Sequence, residues 1–135
     1  MERTLFIVKP DAVERSLIGK IIGMVEDDGL KIGAMRMTQL SVRTAGDFYH
    51  VHRGKDFFDK LVTYMSSGRI VVVVVEGEDA IKRLRRVCGS TDPAVAQPGT
   101  IRATYGVNLT MNSVHASDAA ATARDEVSFF FTDPE

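Results

Sequence analysis

The stretch Arg69-Ile70-Val71-Val72-Val73-Val74-Val75 decides the fold. Ile70 to Val75 is a run of six apolar residues, all β-branched, with no polar residue alternating through it. β-Branched side chains suit a pleated strand, and the lack of alternation predicts one covered on both faces. Six residues are also far short of the roughly 20 that cross a bilayer.

The elements on either side follow a helical period. Upstream, Phe57, Phe58, Leu61, Val62 and Met65 repeat at helical spacing, and Ser66-Ser67-Gly68 closes that helix. Downstream, Ala80, Ile81, Leu84, Val87 and Cys88 give another helix, with Asp79 as its N-cap. Near the start, Thr4 to Val8 is a short strand stopped at Lys9-Pro10. Leu17, Ile18, Ile21, Ile22 and Val25 then form one apolar stripe that ends at Asp27-Asp28-Gly29, with Gly29 at C′. Leu30 to Leu40 is a second strand of imperfect alternation, and Thr44 with Asp47 predicts a capping box opening a short helix toward His52. Gly89 to Val114 has no sustained period and holds Pro93, Pro98, Gly99 and Gly106; a loop of that length is usually functional or disordered. Ala119 to Val127 predicts a last helix, and Phe129 to Phe131 a last strand.

The order β, α, β, αα, β, α, loop, α, β predicts an α+β fold of the ferredoxin-like, split βαβ kind. Its expected form is a four-stranded antiparallel sheet with helices packed on one face. At 135 residues, with no linker or repeat, the chain is expected to make a single domain, 1–135. About two-thirds of the unfolded surface can be buried at that size, so the core needs no staples.

Composition excludes several classes. With 44% hydrophobic and 26% charged residues the chain is an ordinary globule and not a disordered tail. The lone Cys88 rules out an intramolecular disulfide, and no charged start precedes an apolar run, so a cytoplasmic protein is expected. A net charge of −1 argues against membrane or nucleic-acid binding, and the Arg69–Val75 strand lacks the aromatics of an RNA-reading sheet. It does not argue against a small anion, for which the cluster Lys82, Arg83, Arg85 and Arg86 offers cations.

Among chemical motifs, no G-x-G-x-x-G, G-x-x-x-x-G-K-[ST], G-x-S-x-G or zinc-ligand spacing is present. The best candidate is Asn112-Ser113-Val114-His115-Ala116-Ser117-Asp118, ahead of a helix. An imidazole nitrogen can be a nucleophile if its other nitrogen is held by an acceptor. Glu126 on the following helix could be that acceptor, held in turn by Ser117. A lone loop histidine is more often a surface or core residue, so spacing alone is weak support for the functional reading.

The whole chain, however, resembles the nucleoside diphosphate kinase family. The resemblance is carried by Lys9-Pro10-Asp11, Tyr49-x-x-His52-Arg53-x-Lys55-x-Phe57-Phe58, Ser67-Gly68, Glu76-Gly77, Gly89-x-Thr91-x-Pro93, Pro98-Gly99-Thr100-Ile101-Arg102 and Asn112-x-x-His115-x-Ser117-Asp118, in order from Glu2 to Phe131. It implies an Mg²⁺-dependent, ping-pong transfer of the γ-phosphate, mainly from ATP, through a phosphohistidine on the pros nitrogen of His115. It further implies catalytic roles for Lys9, Glu126, Ser117 and Tyr49. Arg85, Arg102 and Thr91 match phosphate-binding positions, and Lys55 a further phosphate contact. Lys9 and Asn112 match sugar contacts, and Phe57 the base platform. His52 matches a pocket position that either touches the α-phosphate or only lines the site. On this reading Lys82, Arg83 and Arg86 are solvated charge, and Phe58 is core.

The cofactor implied is Mg²⁺ carried by nucleotide phosphates, with no metal site of the protein's own. The partners implied are nucleoside di- and triphosphates and further copies of the chain, with no membrane and no specific nucleic acid. Such enzymes form tetramers or hexamers; the chain ends soon after Phe131, so a tetramer is expected and a hexamer is the alternative. Ala12, Lys55-Asp56, Ala103-Thr104, Thr110-Met111 and Ala116 depart from the family's commonest pattern, which puts loop geometry and subunit contacts in question, not the reaction.

Overall fold

In the computed structural model, which describes residues 1–131, Ile70–Val75 forms the middle of strand β3 (Arg69–Gly77). Every residue of that run is buried. β3 lies between β2 (Lys31–Gln39) and β1 (Glu2–Val8), and β4 (Val114–Ala116) completes the order β2-β3-β1-β4. All three pairings are antiparallel, with Phe6 opposite Val73 and Ile7 opposite His115. The expected α+β fold with a four-stranded antiparallel sheet is what the chain adopts.

The helices cover both faces of the sheet, not one as expected. Alternation along β1 and β3 explains this. Phe6, Val8, Val71, Val73 and Val75 point to one side, where they pack with α2 (Ile18–Asp27) and α5 (Ala80–Cys88). Leu5, Ile7, Val72 and Val74 point to the other, against α3 (Val42–Phe48), α4 (Phe58–Met65) and α7 (Ala120–Phe130). A fully apolar strand has no polar face to leave in water, and each buried valine contributes roughly 1.5–3 kcal/mol.

Local differences have local causes. The long segment after Gly89 is not featureless: it contains α6 (Ile101–Tyr105), capped by Thr100 Oγ1, which accepts from Ala103 N–H at 3.3 Å. Gly89 itself has φ +87, and a Cβ there would lie 2.5 Å from Thr100 Oγ1, so glycine is required. Phe129 to Phe131 adds no strand; α7 runs through Phe130, and the fourth strand is β4 instead. Three residues of β4 are too few to show a period. The N-cap of α3 is Ser41, whose Oγ accepts from Thr44 N–H at 3.0 Å, and Thr44 is inside the helix. Asp79 precedes α5 but is left-handed (φ 52) and caps nothing; Glu2 Oε1 accepts from Ile81 N–H in its place. Gly29 takes φ +90 after α2, as its position predicts. A short helix, α1 (Pro10–Glu14), follows β1 with proline in its first turn, where a missing N–H costs nothing. Residues 132–135 of the expected domain lie outside the described residues.

Candidate active site

Six polar or charged residues are buried among those described, and five of them, Lys9, Asp11, Asn112, Ser113 and Ser117, gather beside β4. Desolvating so many polar groups in one place is costly unless each is paired, so the cluster marks a built site.

β4 presents His115. A cross-strand pair shares a face, so the imidazole lies with Ile7 on the α3, α4 and α7 side of the sheet. The ring meets Phe48 edge-on at 5.5 Å between centroids and Tyr49 at 6.2 Å. Glu126, projecting from α7, places Oε1 2.8 Å from His115 Nε2 and accepts from Ser117 Oγ at 2.7 Å. A carboxylate oxygen accepts, so the network assigns the proton to Nε2 and leaves the Nδ1 lone pair bare. Both His115 and Glu126 side chains keep about one-fifth of their surface in solvent, which leaves the ring open to a ligand.

A second group adjoins the first. Lys9 follows β1 directly, and its Nζ donates to Asn112 Oδ1 at 2.9 Å and to the Thr110 carbonyl at 3.1 Å. Asn112 Nδ2 donates onward to the Thr91 carbonyl at 2.9 Å. Burial pulls the Lys9 ammonium down to about 8, and the nearby Arg102 charge adds to the effect against the pull of Asp11. Arg102 projects from α6, and its two Nη atoms donate to the carbonyls of Gly89 and Val114, each at 2.8 Å. Its Nε–H is buried and has no partner among the described residues. Burial also lowers the affinity of this guanidinium for its proton, with Arg85 contributing.

Phe57 stands at the rim, 46% exposed, an unusual position for a large aromatic that no core requires. His52 tilts against it at 5.2 Å and stacks on Tyr49 at 6.3 Å, so an aromatic series runs from the rim to His115. Tyr49 is buried, its hydroxyl unpartnered among the described residues; burial, with Glu126 close by, pushes the phenol above its ordinary range. His52 Nδ1 is likewise buried without a partner. Phe58 is partly buried against the core.

The structure thus brings together His115, Glu126, Ser117 and Tyr49, and separately joins Lys9, Asn112 and the Thr91 backbone. Among the described residues Arg85, exposed on α5, makes no ion pair, and Lys55, also exposed, has no side-chain partner. Arg83 is not merely solvated: its Nε donates to Asp28 Oδ2 at 3.3 Å, and another donor reaches the Glu78 carbonyl. Of the residues that depart from the family pattern, Ala12 fills the core, and Thr110 serves Lys9 only through its backbone carbonyl. Asp11, Arg15, Tyr64 and Ser113, to which the sequence assigns no role, form one network beside Lys9, with Asp11 and Ser113 buried and Arg15 at the surface. Only the i, i+4 spacing of Asp11 and Arg15 signals it in the sequence.

Comparison with known proteins identifies the family. The sequence model of the nucleoside diphosphate kinase family matches residues 2–135. The chain is similar to a nucleoside diphosphate kinase of Nitratiruptor sp., 50% identical over all of this chain and 98% of the relative. One from Nitratidesulfovibrio vulgaris is 53% identical over 97% of this chain and 94% of the relative. Among solved structures, the Aquifex aeolicus nucleoside diphosphate kinase superposes with a TM-score of 0.93 at 47% identity, over 97% of this chain and 95% of that one. The enzyme from Halobacterium salinarum, solved with CDP, superposes with a TM-score of 0.95 at 40% identity, over 99% of this chain and 90% of that one. With the family's sequence model spanning nearly the whole chain and relatives half identical to it from end to end, this chain belongs to the nucleoside diphosphate kinase family.

Proposed function

We propose that this enzyme moves the γ-phosphoryl group of a nucleoside triphosphate, mainly ATP, to a nucleoside diphosphate in two half-reactions, carried between them on the pros nitrogen, Nδ1, of His115. The observation that best supports this is the Glu126 oxygen 2.8 Å from Nε2, itself fixed by Ser117, because it leaves the Nδ1 lone pair free. In the first half-reaction Nδ1 attacks the γ-phosphorus, the bond to the bridging oxygen breaks, and that oxygen leaves with the electron pair on the diphosphate. No base is needed, since the attacking nitrogen carries no proton. The ring gains positive charge as the P–N bond forms, and the Glu126 carboxylate offsets it. A terminal phosphate oxygen of a second diphosphate then attacks, and the P–N bond breaks toward His115. One site serves both nucleotides in turn, so the kinetics are ping-pong.

Positioning and charge supply the rest of the catalysis. Arg102 and Arg85 hold phosphate oxygens with their planar forks, with the Thr91 hydroxyl beside them and Lys55 at the approach. Lys9 places an ammonium near the moving phosphoryl and, with Asn112, meets the sugar hydroxyls. Phe57 offers a face on which any base can stack, and His52 and Tyr49 line the route to His115. Among the described residues no three His, Cys, Asp or Glu side chains gather to hold a metal ion. Mg²⁺ would come bound to the nucleotide phosphates, whose charge it would neutralise.

The test is a phosphate trap. The protein is incubated with γ-labelled ATP and Mg²⁺ and quenched in alkali. Label that survives alkali, leaves in acid and is discharged by GDP is the expected result. No label on protein that binds ATP would sink the proposal.

A pH dependence follows from Lys9. The ammonium is the working form, and its burial sets the free-enzyme titration near 8. On the alkaline side kcat/KM is therefore expected to fall about tenfold per unit above about pH 8. The corresponding limb of kcat lies at higher pH, because bound phosphates favour the charged amine. A kcat/KM profile flat to pH 10 would exclude Lys9 from this role.

The assembly we propose is a homo-oligomer, a tetramer before a hexamer, working in the cytoplasm. β2 is a nine-residue edge strand carrying Met35 and Met37 about half exposed, which supports pairing with another copy. Light scattering should return the mass of four chains; a monomer would overturn the assembly. No helix among the described residues is long and apolar enough to cross a membrane.

A further inference from the structure

Ser113 is wholly buried and adopts φ +77, a left-handed conformation that a residue with a Cβ takes at a cost. It stands between Asn112 and the strand that carries His115, and its carbonyl accepts from Lys9 N–H at 2.8 Å. Something must hold this turn, and its side chain shows what. Ser113 Oγ donates to Asp11 Oδ2 at 3.3 Å. Asp11 is buried in turn, and its carboxylate also accepts from Tyr64 Oη and from Arg15 Nη2. Its own N–H donates to Tyr64 Oη at 2.9 Å, and Arg15 reaches across to the Tyr105 carbonyl. The carboxylate therefore joins α1, α4 and the turn before β4, and through Arg15 the end of α6. None of these four residues has a place in the transfer described above.

We propose that Asp11 is a positioning residue for phosphoryl transfer: through Ser113 Oγ it holds the left-handed turn that aims Asn112 at Lys9 and sets the start of the His115 strand. The proposal rests on the transfer reading given above. It is structural logic of a familiar kind, in which the groups behind a reacting side chain fix its geometry, and small misplacements cost large factors in rate. Asp11 also acts on Lys9 through its charge. The groups facing Lys9 are Asp11 from α1, which favours the ammonium, Arg102 from α6, which opposes it, and the ring of Tyr64 from α4, 5.8 Å from Nζ. Tyr64 stays neutral, because burial and its bond to Asp11 push the phenol above its ordinary range. Removing the Asp11 charge alone moves the Lys9 titration down, an effect that a residue serving stability alone lacks.

The experiment compares wild type, Asp11→Asn, Ser113→Ala and the double variant. It measures label transfer from γ-labelled ATP, the alkaline limb of kcat/KM and thermal stability. Each single change is expected to slow phosphoenzyme formation roughly 10- to 100-fold. Well below the Lys9 limb, where the amine is charged in every variant, the double variant should be no slower than the slower single, since both act on one link. In Asp11→Asn the alkaline limb should begin below the wild-type value of about 8. Asp11→Asn protein with the wild-type rate and limb, whatever its melting temperature, would overturn the proposal. Multiplying effects in the double variant at that pH would also overturn it, because Asp11 would not be acting through Ser113. If Asp11→Asn does not fold, Ser113→Ala carries the test, and an unchanged rate there is equally fatal. Wild type that takes no label would instead remove the transfer reading, and this proposal with it.

Discussion

His115→Ala protein is expected to take no alkali-stable, acid-labile label from γ-labelled ATP and to lose roughly four to six orders of magnitude in turnover. The size follows from the route. A covalent relay cannot run without its nucleophile, and nothing beside His115 can replace it. Tyr49 is a phenol pushed further from ionisation by burial, and the Ser117 hydroxyl is committed to Glu126. What survives is direct transfer between two nucleotides, which a cleft for one nucleotide disfavours. Folding should survive at a modest cost: the ring is mostly buried against Phe48 and Tyr49, but Glu126 keeps its bond from Ser117. Nucleotide affinity should also persist, since Phe57, Arg85, Arg102 and Asn112 remain. Label on the alanine variant, or turnover near the wild-type value, would show that the phosphoryl group travels by another residue.

How far such a site is legible in the sequence depends on what its residues do. The RIVVVVV strand announces itself because burial on both faces leaves no room for a polar residue. It even implies the second layer of helices that the element order alone does not suggest. β4 is illegible by the same rule: three residues cannot show a period, and their partner in β1 is more than 100 positions away. Phe129 to Phe131 reads as a strand by composition, yet Phe130 is buried on the apolar face of α7 while Phe129 stays 40% exposed, so packing outweighs propensity there. Within the site, Ser117, His115 and Glu126 fall within 11 positions, and their contact follows from a strand that turns into a helix. Arg102, Lys9 and Asn112 meet only because the sheet edge and the long segment converge, and a family pattern, not a spacing rule, points to them. The Asp11 network is hidden for a further reason. Serine carries no sequence signal that it will adopt a left-handed turn, and Tyr64 sits on α4 among ordinary helical residues.

Arg102→Ala is expected to produce the second large effect, on rate and stability together. The guanidinium has five N–H donors, of which two are given to the carbonyls of Gly89 and Val114. Those bonds tie the end of α5 to β4, and losing both should cost about 2–4 kcal/mol of stability. One further proton on each Nη and the buried, unpartnered Nε–H remain for an anion. An unpaired buried donor is a standing cost that a bound phosphate relieves, so the site is poised for one. Loss of this charge from the transition state should lower kcat by roughly 100- to 1,000-fold. Arg102→Lys separates the two roles. A single ammonium cannot bridge both carbonyls, so its melting temperature should fall nearly as far as that of the alanine variant. It does keep a cation beside the phosphates, so it should recover part of the lost rate. Steady-state kinetics and thermal melts on both variants decide the matter. If both variants lose stability and neither loses kcat, Arg102 serves only to join helix and strand, and the charge on the moving phosphoryl must be met by Lys9 and Arg85 alone.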